Sequence, residues 1–440
     1  MSLEKMVIDE NESEHRLASA DETDAMPSID DIRLTPLESG SFTSPTDVEG
    51  INLSYAQGIE SIRSREWDEA IDHFTDGLAL DPLREHPRSA TSLSNIGFCH
   101  DKLKQYDQAI AAYKQSIELD STSDQPFAGL ACVYMDLGRP EKALEYGERA
   151  AVIRPDNGLT FFNVGNAHLA LGDCIGAIES FRQAITIQPM LFHAWLNMGA
   201  ACESIGDIDG AIASFEGAIQ AEPGYAKAFL NLGLLYGRQG RHDDAIAAFE
   251  RAIEKAPEVK KTWILLGLAW RCKGDDFKAM EAFKAAVASG SHHEKAWHNI
   301  GLIHAAAHRH DDAMNAFQSA LRIDPAYAKV HVSIGREYVR VGRDDEALAA
   351  LERGLSHRPG MAAAHALVGS IHARRGDHES AIKAFGDGSR LAPEDDSFHV
   401  HLLRVHLAMG RRDEAMAEFK YLEDRKSPLT PVVADEIHSA

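Results

Sequence analysis

The chain has 440 residues, a formal net charge of −23, 44% hydrophobic residues and five cysteines. That acidity disfavours a nucleic-acid partner, because phosphates reward basic surfaces. No apolar run approaches the roughly 20 residues a membrane helix needs, no apolar signal region opens the chain, and an odd cysteine count without short paired spacings argues against a disulfide or zinc framework. These features lead to the expectation of a cytoplasmic protein with reduced thiols at Cys99, Cys132, Cys174, Cys202 and Cys272.

Residues 1–50 carry thirteen Asp and Glu against three Lys and Arg, with few large apolar side chains. Such a stretch buries too little surface to offset its ordering entropy, so an acidic disordered tail is expected. Two readings of it stand. It solvates the protein, or Ile29, Ile32, Leu34 and Leu37 form a short motif that docks elsewhere or occupies the protein's own binding groove.

From Ala90 onward a 34-residue pattern runs ten times without insertion, and a looser copy from Ile51 precedes it, set off by the extra residues Glu85 to Ser89. A fixed period of this size predicts a solenoid of repeats over residues 51–425, with 426–440 as a short C-terminal tail. In each unit the fourth, seventh, eighth and eleventh residues recur as large, apolar, small and aromatic-sized. At about 100° per residue, positions four, eight and eleven share one helical face. Phe161, Trp195, Phe229, Trp263 and Trp297 take the fourth position, and Gly165, Gly199, Gly233, Gly267, Gly301, Gly335 and Gly369 the eighth. Glycine inside a helix costs up to about 1 kcal/mol against alanine, so its recurrence implies close approach of a second helix. Ala177, Phe181 and Ala184 mark that second helix in one unit, with its small residues expected to meet the glycine face. Gly172, Gly206, Gly240, Gly274 and Gly342 suit the turn between the helices, and Pro155, Pro189, Pro223, Pro257, Pro325, Pro359 and Pro393 end each second helix.

One unit displays the whole pattern as Phe229, Leu232, Gly233, Tyr236, Ala245, Phe249, Ala252 and Pro257. This set resembles the tetratricopeptide repeat, in register over residues 51 to about 425. The resemblance implies an all-α fold: eleven helix-turn-helix units stacked into a right-handed superhelical solenoid, with a concave groove lined by the first helices.

Positions two, six, nine and thirteen point away from the buried stripe, toward that groove. The sixth position carries Asn95, Asn163, Asn197, Asn231 and Asn299; the second carries Lys227, Lys261, Lys295 and Lys329; Asn166 and Arg336 lie at the ninth. Helices stacked about every 10 Å meet about every third residue of an extended peptide, and an asparagine amide suits a main-chain amide whatever its sequence. The candidate peptide-binding residues are therefore Asn163, Asn166, Asn197, Lys227, Asn231, Lys261, Lys295, Asn299, Lys329 and Arg336, with the lysines favouring acidic ligands. Phe162, Leu196, Leu230 and Ile264 at position five, and Leu234, Leu268 and Leu302 at nine, are expected to add apolar grip. A competing reading makes the asparagines hydrogen-bonding links between repeats, the lysines solvated residues near helix starts and the apolar positions internal packing.

The asparagine ladder resembles the repeat region of protein O-linked N-acetylglucosaminyltransferases, which implies binding of extended substrates through side-chain amides. Gly129, Leu265, Ser333, Leu367 and His401 interrupt it, and no glycosyltransferase sequence follows. Asn166, Asn197 and Lys227 also fall on three of the five positions of the carboxylate clamp of chaperone-binding repeats, but Phe162 and Asn231 replace two of its basic residues.

Fourteen of the twenty-two histidines lie between His292 and His406. His304, His308 and His310 have a spacing compatible with a metal, but His304 sits at the eleventh position, as do His100, His168, His372 and His406. His331, His365 and His399 sit at the fourth. They read as packed rings in place of aromatics, so no metal or other cofactor is expected. Enzyme motifs are absent. Arg336, Arg340, Arg374 and Arg404 form a local basic stretch.

Leu403 and Leu422 replace the small residues of the last unit and no polar capping helix is evident, so self-association through that end is expected. The reading is a non-catalytic scaffold binding extended, helical or acidic segments of partner proteins. The alternative is a regulatory or substrate-recruiting subunit of a separately encoded transferase or assembly machine.

Overall fold

The computed structural model describes residues 47–288 and 293–439, and these hold twenty-three helices and no strand. Expectations about residues 1–46, including the docking motif, and about His292 lie outside the described residues. The unbroken period offers no internal boundary, yet the helices gather into two compact units, one ending at Ala256 and one beginning at Pro257.

The first unit contains six helix pairs: α1 Val48–Arg63 with α2 Trp67–Ala79, α3 Pro87–Lys102 with α4 Tyr106–Leu119, α5 Gln125–Asp136 with α6 Pro140–Ile153, α7 Gly158–Ala170 with α8 Cys174–Ile187, α9 Phe192–Ser204 with α10 Ile208–Ala221, and α11 Ala226–Arg238 with α12 His242–Lys255. The second unit contains five pairs: α13 Lys260–Lys273 with α14 Asp276–Ala288, α15 Glu294–Ala306 with α16 His310–Ile323, α17 Ala328–Arg340 with α18 Asp344–His357, α19 Ala362–Arg374 with α20 His378–Leu391, and α21 Ser397–Ala408 with α22 Arg412–Asp424. A single helix follows, α23 Thr430–Ser439.

The turn inside each pair follows from two adjacent residues. Gly172 takes φ +78°, a left-handed conformation that costs glycine nothing, and ends α7. Asp173 next to it caps α8, its carboxylate accepting from the Gly176 amide at 3.0 Å. Asp207 repeats this cap at Gly210, also at 3.0 Å. His308 holds the corresponding left-handed turn without being glycine, at φ +57°.

Most of the recurring helical glycines meet an aromatic ring, and Gly335 meets Leu351, not the small residues expected from the pattern. A Cβ added to Gly165 would lie 2.5 Å from the ring of Phe181, and one added to Gly199 equally close to Phe215. Both rings are fully buried. Most repeats thus insert a phenylalanine from the second helix into a notch on the first, with Tyr113 and Leu351 filling that place in two others, and the core is a succession of small clusters, such as those around Phe74 and Phe317.

The fourth position explains several histidines. Trp195 and Trp263 donate their indole N–H to the carbonyls of Pro189 and Pro257, at 2.9 and 3.0 Å. His331 and His365 place Nε2 on Pro325 and Pro359 in the same way, at 2.9 and 3.1 Å. Histidine here is a smaller ring that keeps the indole's hydrogen bond.

The last fifteen residues, expected to form a tail with no capping helix, contain α23. It lays Val433 and Ile437, both fully buried, on Leu403, Phe419 and Leu422. Arg404 of α21 grips the Glu436 carboxylate through Nε and Nη2, the closest contact 2.7 Å. The large residues that seemed to leave the end bare are the seat of this helix.

Candidate interaction face

The candidate residues lie on the first helix of each pair, where 3.6-residue geometry sets positions two, six and nine on one face. In the first unit, Asn163 on α7 directs Nδ2 to the Cys132 sulfur on α5 at 3.4 Å, and Asn197 on α9 donates Nδ2 to Asn166 Oδ1 on α7 at 2.9 Å. Both bonds join position six of one repeat to position nine of the repeat before. Carried on by 34 residues, this register sets Ala200 against Asn231, and Ala200 has no polar side chain to offer. Asn231 and Lys227 are half-buried on α11 and make no side-chain hydrogen bond or ion pair with the described residues.

The competing reading therefore accounts for part of the ladder, since Asn163, Asn166 and Asn197 serve as links between repeats. Each linked amide still keeps hydrogen-bonding capacity, because an asparagine side chain has two donors and two acceptor lone pairs. The clamp-like set is not assembled: Phe162, 3% exposed, is core, and Asn166 and Asn197 bond to each other.

The apolar grip expected at positions five and nine is largely internal packing. Phe162, Leu196, Ile264 and Leu268 are buried, whereas Leu230, Leu234 and Leu302 are half-buried. Position five turns toward the second helix of its own repeat; the Phe162 and Phe181 rings lie 5.9 Å apart.

In the second unit Lys261, Lys295 and Lys329 are half-buried near the starts of α13, α15 and α17. Asn299, 6% exposed, accepts from Arg271 Nη1 at 2.7 Å and donates to the Lys295 carbonyl at 2.9 Å. Arg271, at the twelfth position of its unit, was missed in the sequence because only the ladder positions were followed; a lone arginine near the end of a first helix was the available signal. Burial lowers the pKa of its guanidinium, opposed by Asp276 and Cys272.

Next to Asn299, His298 places Nε2 3.0 Å from Ser333 Oγ, and Ser333 donates its hydroxyl proton to the Lys329 carbonyl at 3.0 Å. His298 must then be the donor to Ser333. Burial brings its pKa down to about 3, and the positive charges of Lys329, Arg271 and Arg336 push the same way. Those three cations thus face one neutral imidazole.

The basic stretch inferred from the sequence is mostly consumed within the array. Arg340 pairs with Glu337 at 2.9 Å and donates to the Ala305 carbonyl, Arg374 pairs with Asp344 at 2.5 Å, and Arg404 is held by Glu436. Arg336 is exposed, with no carboxylate partner among the described residues.

Among the described residues no group of three His, Cys, Asp or Glu side chains is arranged to hold a metal. His310 bonds Glu337 at 2.6 Å, and its ring lies 6.4 Å from that of His308. The cysteines are free thiols, and burial pushes Cys99 and Cys132 up to about 12, which suits packing groups rather than nucleophiles. No described helix is long and apolar enough to cross a membrane.

Comparison with known proteins agrees with this architecture. Residues 157–402 match the family model described as cilia and flagella-associated protein 70 C-terminal domain, and residues 62–122 and 127–157 match tetratricopeptide repeat models. Small glutamine-rich tetratricopeptide repeat-containing protein 2 of Saccharomyces cerevisiae is 29% identical over 101 residues, covering 23% of this chain and 28% of the relative. Anaphase-promoting complex subunit cut9 of Schizosaccharomyces pombe is 29% identical over 102 residues, covering 22% and 15%. The chain thus matches well under a third of the length of these curated relatives. The solved structure of MamA from Desulfovibrio magneticus RS-1 is similar at 26% identity over 38% of this chain and 94% of that one, with a TM-score of 0.35. With helix pairs, notched glycines and matching models in agreement, the chain belongs to the tetratricopeptide repeat proteins and, over residues 157–402, to the family of the cilia and flagella-associated protein 70 C-terminal domain.

Proposed function

We propose that this protein is a non-catalytic interaction scaffold that holds extended, acidic segments of partner proteins on the first-helix faces of its repeats. The observation that carries this reading is the lysine at position two of four successive repeats, Lys227, Lys261, Lys295 and Lys329, each half-buried. A half-buried lysine lays its carbon stem on the repeat while its ammonium adds positive charge to that face, which favours an acidic ligand. Asn231 adds an amide whose donors and acceptor are not taken up by the preceding repeat. An extended segment lying along such a face within one unit gains main-chain hydrogen bonds from amides and charge neutralisation from ammoniums.

The reading is tested by comparing proteins captured from native lysate by the full chain and by a variant with Asn197, Asn231 and Lys227 all changed to alanine. Loss of a defined protein, with helicity unchanged by circular dichroism, supports it. Capture of the same proteins by both forms removes these residues from the site. A second reading, as a recruiting subunit of a larger machine, takes its support from the name of the relative cut9, itself a complex subunit; co-purification of an enzyme activity with the full chain would favour it.

A further inference from the structure

Buried or half-buried cations in folded proteins are normally matched by carboxylates, because an unmatched charge away from water is costly. In the second unit even the exposed Arg340, Arg374, Arg375, Arg404 and Arg425, and the half-buried Arg411, pair with carboxylates. Arg271 departs from it. Its guanidinium is half-buried on α13, and its one side-chain partner is the neutral amide of Asn299 on α15. Arg336, two repeats further along, is also without a carboxylate. The nearest acidic influence on Arg271 is Asp276, just past the end of α13, and no ion pair joins the two.

Asn299 is placed to orient a guanidinium rather than to neutralise it. It is nearly fully buried, one N–H of its amide is used on the Lys295 carbonyl, and its oxygen takes one of the five guanidinium N–H groups. The other guanidinium N–H groups of Arg271 have no hydrogen-bond partner among the described residues, and a planar fork suits bidentate recognition of carboxylate or phosphoryl oxygens. His298 beside it is held neutral, facing Lys329, Arg271 and Arg336, with no carboxylate close enough to reverse its shift. The local field is positive, and among the described residues no carboxylate pairs with Arg271 or Arg336.

We propose that Arg271 and Asn299 form a subsite for one anionic side-chain group, a carboxylate or a phosphoryl, carried by a protein segment bound to the second unit, with Arg336 adding to the positive field. The inference rests on the groove reading above and names what that groove selects. It differs from a terminal-carboxylate clamp, whose positions fall on Phe162, Asn166, Asn197, Lys227 and Asn231 of the first unit.

The test uses the full chain and three labelled peptides of equal length followed by fluorescence anisotropy: alternating Glu and Ala, alternating Gln and Ala, and the Gln peptide with one phosphoserine. The expected result is binding of the Glu or the phosphoserine peptide about tenfold tighter than the Gln peptide, the better of the two identifying the source of the anion. Arg271→Gln and Arg336→Gln should each reduce that preference by about three- to tenfold and leave the Gln peptide unchanged. Arg336 is exposed, so its variant preserves the test if Arg271→Gln loosens the repeat. The proposal is overturned if no peptide preference exists, or if the preference survives both substitutions. If the Asn197, Asn231 and Lys227 variant loses all peptides while the arginine variants keep the preference, the groove reading stands and the subsite falls. The reverse pattern keeps the subsite and removes the first unit from the site.

Discussion

The side-chain amide of Asn197 donates to the side-chain oxygen of Asn166, one repeat back, across 2.9 Å. A row of asparagines that looks like a ligand ladder in the sequence is, at this rung, a cross-link between neighbouring helices. Asn197→Ala should cost about 1 kcal/mol, and Asn166→Ala in the same background little more, because the two share one bond. Urea denaturation of the single and double variants measures the coupling, and strict additivity would remove the link.

The notch that receives each phenylalanine is tight. Gly165→Ala sets a methyl 2.5 Å from the fully buried Phe181 ring, an overpacking that should cost about 1–3 kcal/mol and loosen α7 and α8 first. Hydrogen exchange resolved by segment should show faster exchange in residues 158–187 than in the second unit. Uniform exchange across the chain would contradict the local character of the packing.

Two buried groups give the units opposite responses to acid. The folded state holds His298 near pKa 3 against an ordinary 6.5, so it contributes nothing to pH dependence above 6.5. Below that, the unfolded chain binds a proton the folded chain refuses, and stability falls by about 1.4 kcal/mol per pH unit until pH 3. His298→Leu, placing the residue found at Leu196 and Leu230, should remove this slope in denaturation midpoints between pH 6.5 and 4.

Asp101 carries the reverse sign. It is 7% exposed, its Oδ1 is buried without a hydrogen-bond partner, and burial, helped by Asp136, raises its pKa to about 6 from 3.8. The folded state then favours the protonated form, so this contribution is full below pH 3.8 and is lost as pH rises through 6. Asp101→Asn should stabilise the first unit at pH 7 by on the order of 2 kcal/mol and have little effect at pH 4. Thermal melts at both pH values decide it; equal shifts would exclude a titrating cause.

Removal of residues 430–440 should uncover Leu403, Phe419 and Leu422, which α23 covers. Sedimentation velocity should then show concentration-dependent association absent from the full chain. A truncated form that stays monomeric at all concentrations would mean the last pair closes over these side chains by itself.

The period was legible in the sequence because every repeat meets the same neighbours, so Gly165, Phe181 and Gly172 recur on a fixed spacing in the units that follow. Periodicity also marks the half-buried lysines at position two, since a helix turns by the same angle in every repeat. It does not say what lies across from a side chain. Whether Asn231 is free depends on Ala200 opposite it, and whether Arg271 lacks a counter-charge depends on which carboxylates other helices bring near; both are contacts between residues about thirty apart. The capping role of α23 was hidden for a related reason, since ten residues with no repeat pattern acquire meaning only against the apolar end they cover. Sequence alone determined the helix pairs and the recurring small and aromatic positions in their cores, because those follow from local geometry and a repeated pattern. Only the tertiary structure decided which polar side chains are satisfied within the array and which remain for a ligand, because that depends on partners brought together across the stack.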